Sequence, residues 1–162
     1  MTILHSHDLS GNDKQKLIKI WFALEKGVEK SPATETMWAK EVSKGQYCIL
    51  NSPFYVYGVS KDDVVFGEYV GDIISFSGVA ARGGHSTYRI FLAGNLNKSK
   101  FNEYWEPIEG LGCTYEGATS RLLAIDVPPA ADVYKVYNLL EKGQADGIWN
   151  FEEGFCGHPL SK

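Results

Sequence analysis

His85-Ser-Thr-Tyr-Arg-Ile-Phe-Leu-Ala93 alternates, so that Tyr88, Ile90 and Leu92 share one face of an extended segment. The pattern then switches period. Asn97 or Ser99 can cap a helix, in which Phe101, Tyr104, Trp105 and Ile108 fall at i, i+3, i+4 and i+7 and build one apolar stripe. Pro107 sits in that stripe and should kink or shorten the last turn, which Gly110 ends. Residues 112–116 and 121–127 read as two strands parted by Gly117-Ala-Thr-Ser120. Pro128-Pro129 opens a second helix whose Val133, Val136, Tyr137 and Leu140 repeat the spacing, with Gly143 as its stop. Residues 148–152 close with a strand. Strand, helix, strand, strand, helix, strand is the ferredoxin-like order, in which two amphipathic helices cover one face of a four-stranded sheet.

Upstream the chain speaks only in strands. Ile18, Ile20, Phe22 and Leu24 alternate with Lys19, Trp21 and Ala23. After a connection over residues 27–32, strand-like segments recur at 34–42, 46–50, 54–57, 64–70 and 73–79, separated by Lys44-Gly45, Asn51-Ser-Pro53, Lys61-Asp-Asp63 and Gly71-Asp72. This even spacing predicts a small, bent antiparallel sheet or partial barrel. Residues 1–15 are polar, with Gly11-Asn-Asp-Lys14 marking a loop, and read as a flexible arm. The expected organisation is α+β: an arm (1–15), a β-rich subdomain (16–82), a ferredoxin-like βαββαβ subdomain (83–157) and a tail (158–162).

The 162 residues suffice for one core or two small subdomains sharing one, not for two ordinary domains. A net charge of −4 lacks the basic footprint that phosphate binding needs, which argues against a nucleic-acid partner and for a basic one. Cys48, Cys113 and Cys156 are odd in number, widely spaced and without a C-x-x-C pair, so neither a disulfide framework nor a zinc knuckle is indicated. The first residues carry no basic flank and no apolar run of signal length, and no later run is long enough for a membrane span. The expectation is a reduced, cytoplasmic protein with no membrane contact.

An enzyme would have to use His85, Ser86, Cys113 and Glu116. A Cys113 nucleophile with a His85 base is a workable pair if their strands are neighbours. Beside Gly112 at a strand start, however, Cys113 reads better as a small buried hydrophobe, and His85 after Gly83-Gly84 as the residue that orients a turn. No phosphate-binding glycine loop occurs. His5, His7 and Asp8 are spaced for chelation, but on the polar arm they suit adventitious binding, so no metal and no cofactor is expected. Arg89 faces away from Tyr88 and Ile90 and is expected to pair with Glu116 or Asp126 across the sheet. His158, in the tail, has no evident partner. Asp62, Asp63, Glu68, Asp72, Glu152 and Glu153 cluster in turns; converging with Tyr55, Tyr57 and Tyr69 they would form a surface for a basic partner.

Five runs, Glu35-Thr-Met-Trp-Ala39, Leu50-Asn-Ser-Pro-Phe54 leading to Gly58-Val-Ser60 and Asp63-Val-Val65, Gly84-His-Ser-Thr-Tyr-Arg89, Leu111-Gly-Cys-Thr-Tyr-Glu-Gly117 and Ala124-Ile-Asp-Val-Pro-Pro129, occur in order. Together they resemble a bacterial family known as domain of unknown function 4265, over residues 16–157. The resemblance marks Trp38, Asn51, Pro53, Phe54, His85, Arg89, Cys113 and Glu116 as motif positions and supplies no activity. Small bacterial proteins of this type look similar to immunity proteins, which implies a non-enzymatic inhibitor that occludes the active site of a cognate toxin with a basic domain. A cytosolic small-molecule sensor is the alternative reading, and a Cys/His hydrolase or transferase the third.

Overall fold

The structure, a computed structural model, describes residues 16–25 and 33–161. The expected arm, the connection at 27–32 and the His5, His7 and Asp8 group lie outside these. Five strands, β1 (Ile18–Ala23), β2 (Thr34–Ser43), β3 (Gln46–Ile49), β4 (Val64–Val70) and β5 (Ile73–Ala81), close in chain order into a barrel. Alternation does the work: Ile20 and Phe22 of β1, Met37 and Ala39 of β2 and Ile49 of β3 point inward and are buried. The expected sheet was antiparallel and partly open. It is instead closed by a parallel pairing of β1 with β5, because the first and fifth strands of an up-and-down meander run the same way.

The second half supplies β6 (Ser86–Leu92), α1 (Lys98–Glu109), β7 (Thr114–Gly117), β8 (Leu122–Val127), α2 (Val133–Ala145) and β9 (Trp149–Phe155). The four strands form an antiparallel sheet in the order β7-β8-β6-β9, so the fold is α+β. Asn97 caps α1, its Oδ1 accepting from Lys100 N at 2.8 Å. Phe101, Trp105 and Ile108 are buried against Tyr88, Ile90, Leu123, Ile125 and Trp149 of the sheet. The helix runs two residues beyond Pro107, whose ring removes one donor without ending the element.

Two local expectations are corrected. Helix α2 starts after its cap Asp132, and Gly143 lies inside it rather than at its end. A Cβ at Gly143 would stand 2.5 Å from Trp149 Nε1, so this glycine makes room for an indole, which donates to Leu140 O at 3.0 Å. The strand expected at 54–57 is irregular backbone within a long connection, residues 51–63, between β3 and β4.

That connection lies against the helix-free face of the four-stranded sheet. Its Val56 and Val59 enter the barrel core, while Gly58 N donates to Gly154 O of β9 at 3.1 Å. Among the described residues no helix is long and apolar enough to cross a membrane.

Candidate functional site

Several polar side chains of the motif runs meet on this connection. Glu35, buried on β2, accepts from three consecutive backbone donors: Phe54 N at 2.6 Å, Tyr55 N at 3.0 Å and Val56 N at 2.9 Å. Three N–H groups pointing one way form a nest for one carboxylate, and they fold the backbone away from the extended form expected of this segment. Asn51 Oδ1 accepts from Trp38 N at 2.8 Å, and Glu116 Oε2 from Ser52 N at 3.3 Å. Burial holds the Glu116 carboxyl above its usual range, opposed by the Ser52 N–H. Asp63, expected on the surface, is instead fully buried. It accepts from Ser60 N, Gly83 N and Arg82 Nη1 at 2.9 to 3.0 Å.

Arg89 is the largest fully buried side chain among the described residues. It pairs with neither Glu116 nor Asp126. Its Nε donates to Glu152 Oε1 at 2.7 Å, and its Nη1 to Val56 O at 2.8 Å and Pro53 O at 3.3 Å. The Tyr57 ring lies over the guanidinium at 4.6 Å, and its hydroxyl donates to the other Glu152 oxygen at 2.5 Å. That bond, before burial, holds the Tyr57 hydroxyl above its usual range. Gly154 is the seat of this arrangement, since a Cβ there would come within 3.0 Å of Nη1. Arg89 Nη2 is buried and has no acceptor among the described residues.

His85 stands between two carboxylates. Its Nδ1 bonds Asp126 Oδ1 at 2.7 Å, and its Nε2 lies 3.0 Å from Asp62 Oδ2. Asp62 adopts a left-handed backbone at φ 67°, a conformation that Asp tolerates, and thereby carries its carboxylate from the connection to the sheet. The pairing of His85 with Cys113 is not formed: both ring nitrogens face carboxylates. Cys113 is sealed in the helix-side core, its thiol pushed up to about 12 by burial and then by the Asp126 charge. Ser86 and His158, the latter without a partner in sequence terms, bond each other at 2.6 Å, and His158 Nε2 bonds Pro128 O at 2.9 Å.

The acidic and aromatic residues expected to form one patch divide among several places. Tyr57 and Glu152 sit at Arg89, Asp62 at His85, and Glu153 accepts from Tyr88 OH at 3.0 Å. Tyr55 is half-buried on the connection. Glu68, Tyr69 and Asp72 stand together at the β4–β5 turn. There they are joined by residues that the sequence reading passed over: Phe66, Val70 and Ile73 are 42%, 60% and 36% exposed, and Tyr69 72%. The signal was available in the run Val64 to Ile73, where apolar residues occupy both faces of a hairpin that can bury only one. A cleft of about 310 Å³ opens elsewhere, on the helix-free sheet face, lined by Arg89, Phe91, Leu122, Asn150 and Glu152.

No curated protein matches the chain. Among solved structures it is similar to a hypothetical protein from Neisseria gonorrhoeae, at a TM-score of 0.72 and 16% identity, covering 93% of this chain and 100% of that one. That likeness speaks for the fold alone. The sequence profile of one family matches residues 35–151, from the Glu35 nest to the open sheet face, and the chain belongs to that family, described as Domain of unknown function (DUF4265).

Proposed function

We propose that this protein is a non-enzymatic binding protein of the cytoplasm, an immunity-type inhibitor that covers the active site of a basic toxin domain, built on a ferredoxin-like unit fused to the barrel. The observation that carries the reading is the β4–β5 hairpin end. Within eight residues Phe66, Tyr69, Val70 and Ile73 leave much of their surface to solvent, flanked by Glu68 and Asp72. Apolar anchors rimmed by one sign of charge suit a protein surface of the opposite sign: the anchors supply affinity and the rim speeds encounter. The strand order β7-β8-β6-β9, with each neighbour antiparallel, supports the ferredoxin-like reading of the second half.

Calorimetry with the polypeptide encoded beside this chain's gene is the direct test. A tight complex should form, and Tyr69→Ala should weaken it by roughly 30-fold, the effect of an interface anchor worth about 2 kcal/mol. Absence of binding, or a complex indifferent to Tyr69→Ala and Val70→Asp together, rejects the assignment.

A further inference from the structure

The helix-free sheet face holds one feature that protein binding at the hairpin does not use. Arg89 is 1% exposed, and its guanidinium is fixed on three sides by Glu152, by the carbonyls of Val56 and Pro53, and by the Tyr57 ring. Its remaining arm, Nη2, has no acceptor among the described residues. A donor sealed from water without a partner is an expensive thing for a fold to keep, and such groups mark a missing partner. Nη2 is the arm on the Nε side of the guanidinium, the side that faces Glu152. Arg89 and Glu152 together form one end of the cleft of about 310 Å³. From there the floor continues along Phe91 and Leu122 to Asn150, and the Arg121 guanidinium lies over the Phe91 ring at 4.6 Å.

Charge decides the class of ligand. Glu152 already balances Arg89 at 2.7 Å, so a second carboxylate on Nη2 would lie beside the first and be repelled. A neutral oxygen meets no such penalty. We propose that this cleft binds a small neutral molecule whose amide or ring carbonyl oxygen accepts from Arg89 Nη2, while its flat apolar body lies on Phe91 and Leu122. The Tyr57 ring, 62% exposed and stacked over the guanidinium at 4.6 Å, must turn aside for that oxygen to reach Nη2. Asn150, at the open end, offers a donor and an acceptor to the ligand's far edge.

The site is testable on the intact, isotope-labelled chain with three probes built on one benzene ring: benzamide, benzoate and toluene. Benzamide should shift the Arg89 Nε–H resonance and the Phe91 and Asn150 amides in a saturable way at low-millimolar concentration, about the strength a nine-atom fragment permits. Benzoate and toluene should bind at least tenfold more weakly, the first for its charge and the second for want of an acceptor. Leu122→Trp fills the cleft without touching Arg89 and should abolish the benzamide shifts; Asn150→Trp serves the same purpose should that variant not fold. The assignment fails if no probe moves Arg89 up to about 10 mM, if benzoate matches benzamide, or if a folded, cleft-filling variant still binds.

Discussion

Replacing Glu35 by Ala tests the claim that one carboxylate holds the residue 51–63 connection in place. Three backbone donors, those of Phe54, Tyr55 and Val56, end on this side chain at 2.6 to 3.0 Å. A hydrogen bond to a charged acceptor contributes roughly 1.5–3 kcal/mol, and an orphaned buried donor costs a similar amount. The three losses do not simply add. Only the Val56 bond is fully buried, and the Phe54 and Tyr55 donors regain water once the side chain is gone. The expected loss is about 3–5 kcal/mol, at least a fifth of the roughly 5–15 kcal/mol by which a typical domain is stable. Glu35→Gln keeps one acceptor oxygen but turns an amide donor toward a backbone donor, and should cost about 2 kcal/mol. Urea unfolding should show the midpoint falling with its slope unchanged. Hydrogen exchange should then localise the effect: the amides of residues 54–56 lose protection beyond the global change, while those of Ile20, Met37 and Ile49 follow it. A loss below about 1 kcal/mol, or unaltered protection at 54–56, would refute the reasoning.

Three more outcomes follow from the packing and the titrations. Gly143→Ala places a methyl group against the Trp149 indole, and the overpacking, about 2 kcal/mol net of the gain in helix propensity, should lower the urea midpoint; a rise would contradict the contact. Iodoacetamide near neutral pH should label the half-buried Cys48 and Cys156 first, and Cys113 only on unfolding, as read by peptide mass spectrometry; early labelling of Cys113 would show that its strand opens freely. Burial raises the Glu116 carboxyl in the folded chain above its usual value near 4.5, so the folded state holds that proton longer. Its contribution is therefore most favourable at low pH, declines as pH climbs from about 4.5 through the folded value, and is level beyond. Glu116→Gln, which keeps an acceptor for Ser52 N, should remove that slope, and a stability difference between the two proteins that stays flat over the range would refute it.

What could be read from the chain was what is written at short range. Asn97, three residues from the donor that it caps, and the stripe Phe101, Trp105 and Ile108 are local facts, and α1 follows from them. The inward alternation of Ile20 and Phe22 is equally local. The connection at 51–63 is not. Its shape is set by Glu35, Arg89 and Glu116, which lie 19 to 64 residues away from the groups they bind. Residues 54–57 have the composition of a strand and are denied that form by a distant carboxylate. Gly143 misleads for a related reason: a glycine that ends a helix and one that admits an indole look the same until the indole is placed. His85 and Cys113 are both near Asp126, yet only the histidine touches it; a one-dimensional pattern holds no hint of which side of a strand's neighbour a thiol will occupy. At the hairpin end Glu68, Tyr69 and Asp72 are legible, whereas Phe66, Val70 and Ile73 escape a sequence reading for the opposite cause, because apolar residues are credited to the interior by default.

The seam where β1 meets β5 is short, two residue pairs, Ile20 with Ile74 and Trp21 with Ser75. Everything that keeps the ring shut at that point hangs on a single six-residue ribbon at the front of the chain. Stripping it off would not merely shorten the protein. It would bare the borders of β2 and β5 at once, two rows of unsatisfied amides and carbonyls, and turn a self-contained cylinder into a template for ladder growth between molecules. The first strand is thus the fold's guard against fibrils as much as a part of its interior.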